Sequence, residues 1–459
     1  MTHPRLAAPS LPKLVVRFAV LLLLVLRAAG IYLRLVLAAR GLWPATDAAL
    51  VALQRRFAQR FVRVAVRYKG GLIKLGQVAS LRVDVLPEEV SDELARLQDR
   101  VEPHAYAEIE AQLERELGAS PSLLFASLEP QPIAAASLGQ VHAAWLSSGE
   151  KLAVKVLYPG VERSVAVDLA AARVGLWLFD FLTVADLRQV YRELRDSLRG
   201  EMDYEREGRA AEEVARNLAQ DPTLAAHVRV PAICWRLTRR RVLSMEFIAG
   251  VKINDREALE AQGHALPELA LWATRAFLQM IFRDGFFHCD PHPGNLLVDP
   301  QGRIGIVDFG MNKRLAPEVM RMLRENVMAT VARDPQRYAR SLLDAGMIQA
   351  RDRGAVEEIA RIFFDPTYYN LTPKELSELD FGAYFRRMRR HFAQVRSFQL
   401  PDGIVMGSRA LTLLLGLATE LAPGVRPLDV IGPYMMEFLQ ENPNQAPNTD
   451  PPEAALQQG

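Results

Sequence analysis

The sequence predicts an α+β chain of two lobes with a helical N-terminal extension, and three changes of texture predict it. Apolar residues recur at three and four spacing through residues 47 to 120, as in "DAALVALQRRFAQRFVRVAVRY", which is helical periodicity. Between 121 and 250 the chain shifts to short apolar runs, "PIAAASLGQVHAAWL" and "KLAVKVLY" about the turn "SSGE", then "RRRVLSMEFIAG", with a charged helical stretch inserted at 165 to 219. From 251 to 439 helical spacing dominates again. The expected divisions are a basic apolar segment at 1–46, a helical extension at 47–120, a small lobe at 121–250 and a large helical lobe at 251–439. The tail at 440–459, rich in proline, asparagine and glutamine, has too few apolar residues to offset its chain entropy and is read as disordered.

Bulk composition removes several function classes. The 459 residues carry 56 Lys and Arg against 54 Asp and Glu, a net charge of +2, which favours neither nucleic acid nor a polyanionic substrate. The two cysteines, Cys234 and Cys289, form no disulfide framework and match no zinc spacing. The charge is nevertheless uneven, because the first acidic residue is Asp47 while Arg5, Lys13, Arg17, Arg27, Arg34 and Arg40 precede it. Among these lies "FAVLLLLVL", an apolar run shorter than the ~20 residues of a spanning helix. Arg27 and Arg34 share a helical face, so a basic amphipathic helix lying on a membrane fits better than a span; a signal segment and a packed soluble helix are the other readings. The apolar stretch "LPDGIVMGSRALTLLLGLATELAP", broken by Arg409 and Glu420, reads as a buried helix of the second lobe.

The stretch "FFHCDPHPGNLLVD" sets two histidines, two aspartates and an asparagine between apolar residues. Such polarity suits a solvated turn, or a loop with chemistry to perform. Asp290, Asn295 and the Asp308 of "IVDFG" have the spacing of the protein-kinase catalytic and metal loops. Asp290 is the expected acceptor-orienting or basic group, and Asn295 and Asp308 the expected magnesium ligands, since Mg²⁺ takes few protein oxygens and completes its shell with phosphate and water. His288 reads as a structural histidine. The fold expected is therefore a two-lobed protein-kinase-like fold binding ATP and Mg²⁺. In that frame Lys155 of "LAVKV" clamps the α- and β-phosphates and Glu207, on the following helix, pairs with it. Backbone groups at Glu246 and Ile248 are the candidate adenine contacts. No glycine-rich phosphate loop exists; Ala134, Ala135, Ala136 and Ser137 precede the single Gly139, so the cradling geometry is expected to differ.

Together these residues resemble the UbiB-type (AarF-like) atypical kinases from about Gly70 to Pro317, and more loosely to about 435. "KLGQ" with Lys74, Gly76 and Gln77 resembles that family's K-x-G-Q signature, "AAASLGQVH" its Ala-rich loop, and "EMDY" with Glu201 and Asp203 its E-x-D element. The resemblance implies that Lys74 meets Glu201 and Asp203 in an autoinhibitory arrangement over the cleft. It further implies ATPase activity more readily than protein phosphorylation. Membrane lipids or isoprenoid-quinone precursors are the implied partners, and the cytoplasmic face of a membrane the implied location. Gly208 and Ala210 depart from the family pattern in a way expected to loosen their helix. Two rivals remain, a non-catalytic ATP-gated lipid-binding or scaffold protein and a small-molecule kinase of the aminoglycoside or choline type. The K-x-G-Q and Ala-rich pair argues against the second.

Overall fold

The computed structural model describes residues 9–44, 46–80, 93–94, 103–180, 187–364, 395, 401–425 and 427–440. The tail at 441–459, expected to be disordered, lies outside them. The chain has an α+β kinase-like fold and divides into two compact units, residues 1–209 with 232–247, and residues 210–231 with 248–459.

The first unit begins with helix α1 (Leu11–Ala39), α2 (Asp47–Tyr68) and α3 (Gly71–Ser80). Helix α4 (Tyr106–Leu117) follows, then strands β1 (Ser127–Leu128), β2 (Ala134–Ala135), β3 (Gly139–Trp145) and β4 (Lys151–Leu157). Helices α5 (Val161–Asp180), α6 (Leu187–Glu201) and the start of α7 (Tyr204–Leu218) come next. The sheet runs β1-β3-β4 and ends on β6 (Val242–Glu246), with β2 on β3, and every ladder is antiparallel. Its strands are buried on both faces, and Val154, Val156, Leu157 and Leu243 join one apolar core with Ile109 and Leu113 of α4. A second apolar cluster joins Leu21 and Leu24 of α1, Phe61 and Ala65 of α2, and Leu72 and Ile73 of α3.

Helix α1 runs on well past the short apolar run within it. Arg27 interrupts the apolar run in sequence but not the helix, which continues for 29 residues. At about 1.5 Å per residue that is roughly 43 Å, and α1 is long and apolar enough to cross a membrane by length and composition. It is nonetheless packed. Leu21, Leu24 and Ala29 are buried, and so is Arg17, while Leu11, Val15, Val16, Leu23, Leu26 and Leu33 lie exposed on the other side with Lys13, Arg27 and Arg34 among them.

The second unit takes the rest of α7 and β5 (Val228–Arg229), residues the sequence reading assigned to the small lobe. The reason is a ladder: β5 pairs in parallel with β10 (Ile304–Ile306), which pairs antiparallel with β9 (Leu296–Val298), and that strand with β7 (Val251–Lys252). A separate two-stranded sheet joins β8 (Phe286–His288) to β11 (Asn312–Arg314). Its longer described helices are α8 (Leu266–Leu278), α9 (Pro317–Val331), α10 (Pro335–Asp344), α11 (Arg353–Phe363), α12 (Asp402–Leu421) and α13 (Pro427–Gln440). A π-helical turn, Gln279–Arg283, follows α8 and leads into β8; its buried Gln279 donates to the Asn217 carbonyl oxygen at 3.1 Å.

Candidate active site

In the first unit, Lys155 sits mid-strand in β4, opposite Val141 and Leu243, where an unpaired ammonium would be costly. Its Nζ donates to Glu207 Oε1 at 2.5 Å, and both residues are more than nine-tenths buried. Glu207 reaches it from the first turn of α7, which Asp203 caps by accepting the Arg206 N–H at 3.1 Å. At Gly208 a Cβ would stand 3.0 Å from Trp235, so glycine lets the indole seat directly beside Glu207's turn.

Lys74, on α3, is ion-paired with Glu201 at the end of α6, and it too is buried. Gly76 lies on the same helix; the side chain of Gln77 lies outside the described residues. Helix α3 starts from a reversal in which Lys69 and Gly70 have φ of 52° and 72°. The Gly70 N–H donates to the Ser137 carbonyl oxygen at 3.2 Å, so the Lys74 helix and the Ala-rich loop are tied together.

The Ala-rich loop is the arm of a hairpin. Ala134 pairs with Val141 and Ala135 with Gln140, and the Ala136 N–H donates to the Gly139 carbonyl oxygen at 2.8 Å. None of Ala134, Ala135, Ala136 and Ser137 has a positive φ, so their Cβ atoms impose no strain. Gly139 is needed for space instead, because a Cβ would lie 2.5 Å from the Val156 carbonyl oxygen. Behind the hairpin, buried His142 bonds the Glu129 carbonyl oxygen through Nδ1 at 2.7 Å, and burial pushes its pKa down. The Glu246 N–H donates to the Ala232 carbonyl oxygen at 2.8 Å, and Ile248 is the first residue past the division between the units.

In the second unit, Asp290 follows β8, Asn295 precedes β9 and Asp308 follows β10. Opposition of Ile306 to Leu296, with the Val307 N–H donating to the Asn295 carbonyl oxygen at 3.0 Å, puts Asn295 and Asp308 at the same end of the β9–β10 pair. Asn295 Nδ2 donates to the Asp290 carbonyl oxygen at 3.1 Å, fixing the loop's width. Asp308 Oδ1 accepts the Gly310 N–H at 3.0 Å. His288 is fully buried, its Nδ1 3.1 Å from the Met311 carbonyl oxygen. Among the described residues no three His, Cys, Asp or Glu gather as a metal cage. An amide oxygen and a carboxylate, both partly buried, instead fit a hard ion that takes most of its ligands from phosphate and water.

This arrangement has known relatives. Residues 96–342 match the model of the ABC1 atypical kinase-like domain, more than half of the chain. The chain belongs to the ABC1 atypical kinase-like family. It is 33% identical to a probable protein kinase UbiB of Azotobacter vinelandii, covering 83% of this chain and 71% of that protein. It is also 33% identical to the chloroplastic protein Activity of bc1 complex kinase 7 of Arabidopsis thaliana, covering 86% of this chain but spanning only 56% of the plant protein. A solved Mycobacterium tuberculosis protein, Rv3197 in complex with erythromycin, shares the fold, with a TM-score of 0.53 over 82% of this chain and 95% of that one at 24% identity.

Two charged partnerships escaped the sequence reading. Arg17 of α1 donates to Asp168 of α5 from Nε at 2.6 Å and from Nη2 at 2.7 Å, and Arg409 of α12 donates to Asp290 at 3.2 Å. The available signal was the same in both: a charge inside an otherwise apolar helical run, "SVAVDLAAARVG" and "GSRALTLLLGLA".

Proposed function

We propose that this ABC1-family protein binds Mg-ATP and hydrolyses it or transfers its terminal phosphoryl group, in support of isoprenoid-quinone or prenyl-lipid metabolism at a membrane. The observation that carries the reading is the buried Lys155–Glu207 pair at 2.5 Å, a lysine held mid-strand by a carboxylate from the first turn of α7. With its ammonium so oriented, Lys155 is the group that clamps the α- and β-phosphates. Asn295 and Asp308 offer the oxygens for magnesium, which when bound neutralises phosphate charge. Asp290, its loop braced by Asn295, orients the attacking hydroxyl or water. Lys74, withdrawn into its pair with Glu201, is the autoinhibitory residue of this reading. The exposed apolar stripe of α1, with three basic and no acidic residues, is the surface for anionic lipid on the cytoplasmic face.

The test is phosphate release from ATP with and without anionic liposomes and phenolic quinone mimics. Turnover by wild type that is lost in Asp308→Asn supports the reading. Equality of the two under every condition overturns it in favour of an ATP-gated scaffold.

A further inference from the structure

Helix α12 is long and apolar enough to attract attention as a membrane span, yet it carries Arg409 near its middle. A guanidinium in such a helix needs a partner, and the partner here is the Asp290 carboxylate, with Nη2 donating to Oδ1 at 3.2 Å. The seating of α12 is specific to this end. A Cβ at Gly403 would come within 2.6 Å of Leu315 Cδ2, and one at Gly407 would rest on the Phe287 ring at 3.6 Å. Phe287 belongs to β8, which delivers Asp290, and Leu315 directly follows its partner strand β11, so glycines on α12 set the height at which Arg409 meets the loop. The buried Nε of Arg409 bonds nothing among the described residues.

We propose that Arg409 is the positioning residue for Asp290. Asn295 fixes the loop through the Asp290 backbone carbonyl, while Arg409 fixes the side chain by holding one carboxylate oxygen, leaving the other to orient the acceptor. An uncompensated carboxylate facing a triphosphate would be driven away from it; the guanidinium cancels that charge without supplying a proton acceptor. This rests on the ATP-turnover reading, and it adds a residue that reading does not contain.

The experiment measures steady-state phosphate release and ATP affinity for the full chain carrying Arg409→Met, Arg409→Lys or Arg409→Ala. The expected result is a fall in kcat of about 10- to 100-fold for Arg409→Met, less than the roughly 10²–10⁴-fold a positioned acid–base group itself contributes, because Asp290 is retained, with ATP affinity unchanged. Arg409→Lys falls between, because an ammonium keeps the charge but not the fork, and added guanidinium restores turnover to Arg409→Ala. A purely structural role would move ATP affinity and thermal stability together and would not respond to guanidinium. If Arg409→Met does not fold, Arg409→Lys carries the test alone. Turnover equal to wild type in the folded variants, with Asp290→Asn impaired, overturns the inference and leaves the ATPase reading intact. A wild type no faster than Asp308→Asn sinks that reading and this inference with it.

Discussion

At the scale of single residues, two positions in the Ala-rich hairpin do opposite work. Gly139 is a space requirement: Gly139→Ala would drive a methyl into the Val156 carbonyl and the Tyr204 hydroxyl, so a loss of about 1–3 kcal/mol in urea unfolding is expected. Ala135 is under no such constraint, and Ala135→Gly frees backbone there at little structural cost. That variant should change nucleotide affinity while leaving unfolding nearly untouched; unchanged ATP and ADP affinities would count against a phosphate-facing role for the hairpin. Lys155 shows where stability and chemistry overlap. Lys155→Met would strand Glu207, which is only 4% exposed, and should cost about 3–5 kcal/mol. Its inactivity therefore says little by itself, and the double variant with Glu207→Gln is the necessary control. Lys155, Asp290, Asn295 and Asp308 were all visible as spacing, because a kinase motif is a local pattern of residue types. Arg409 was not, since its meaning depends on a partner more than a hundred positions away.

At the scale of elements, the Arg17–Asp168 pair organises four helices. Arg17 also donates to the carbonyl oxygens that end α2, at Tyr68 from Nη1 (2.6 Å) and at Lys69 from Nη2 (2.8 Å), while Asp168 accepts the N–H groups of Gly71 and Leu72 that begin α3. Gly70 and Gly71 permit this, as Cβ atoms there would stand 3.2 Å from Arg17 Nη2 and 2.9 Å from Asp168 Oδ2. The Lys74 helix is thus docked through its own N-terminal amides. Burial pushes the Asp168 carboxyl above the usual carboxylate range, and Arg17 with the two amides pulls it part of the way back. A raised folded-state pKa favours folding below the unfolded value, near 4, and that advantage fades as pH rises through the folded value. Arg17→Gln removes the largest offset, so its destabilisation should be about 3–5 kcal/mol near neutral pH and should shrink toward about pH 5, as the stranded carboxyl takes a proton. Equal losses at both pH values would show that the pair's charge is not what matters.

At the scale of the whole molecule, the division into two units does not follow the order of texture along the chain. Residues 210–231 join the second unit because β5 finds its hydrogen-bond partners in β10. Helix α1 presents one apolar face to α2, α3 and α5 and leaves the other exposed, which fixes a clean test of the membrane reading. Leu23→Ser with Leu26→Ser should weaken binding to anionic vesicles severalfold while leaving unfolding unchanged, since both residues are about half exposed. Unaltered vesicle binding would remove α1 from that role.

By itself, the sequence determined the fold class and the family, because periodicity and motif spacing are properties of neighbouring residues. Only the tertiary structure decided that Asp203 caps a helix, that the Glu246 N–H is occupied, that α1 is packed on one side, and that Arg17 and Arg409 hold aspartates far along the chain. Each of these depends on which groups are desolvated together, and burial of a charge beside its partner is fixed by packing between distant segments rather than by the residues on either side.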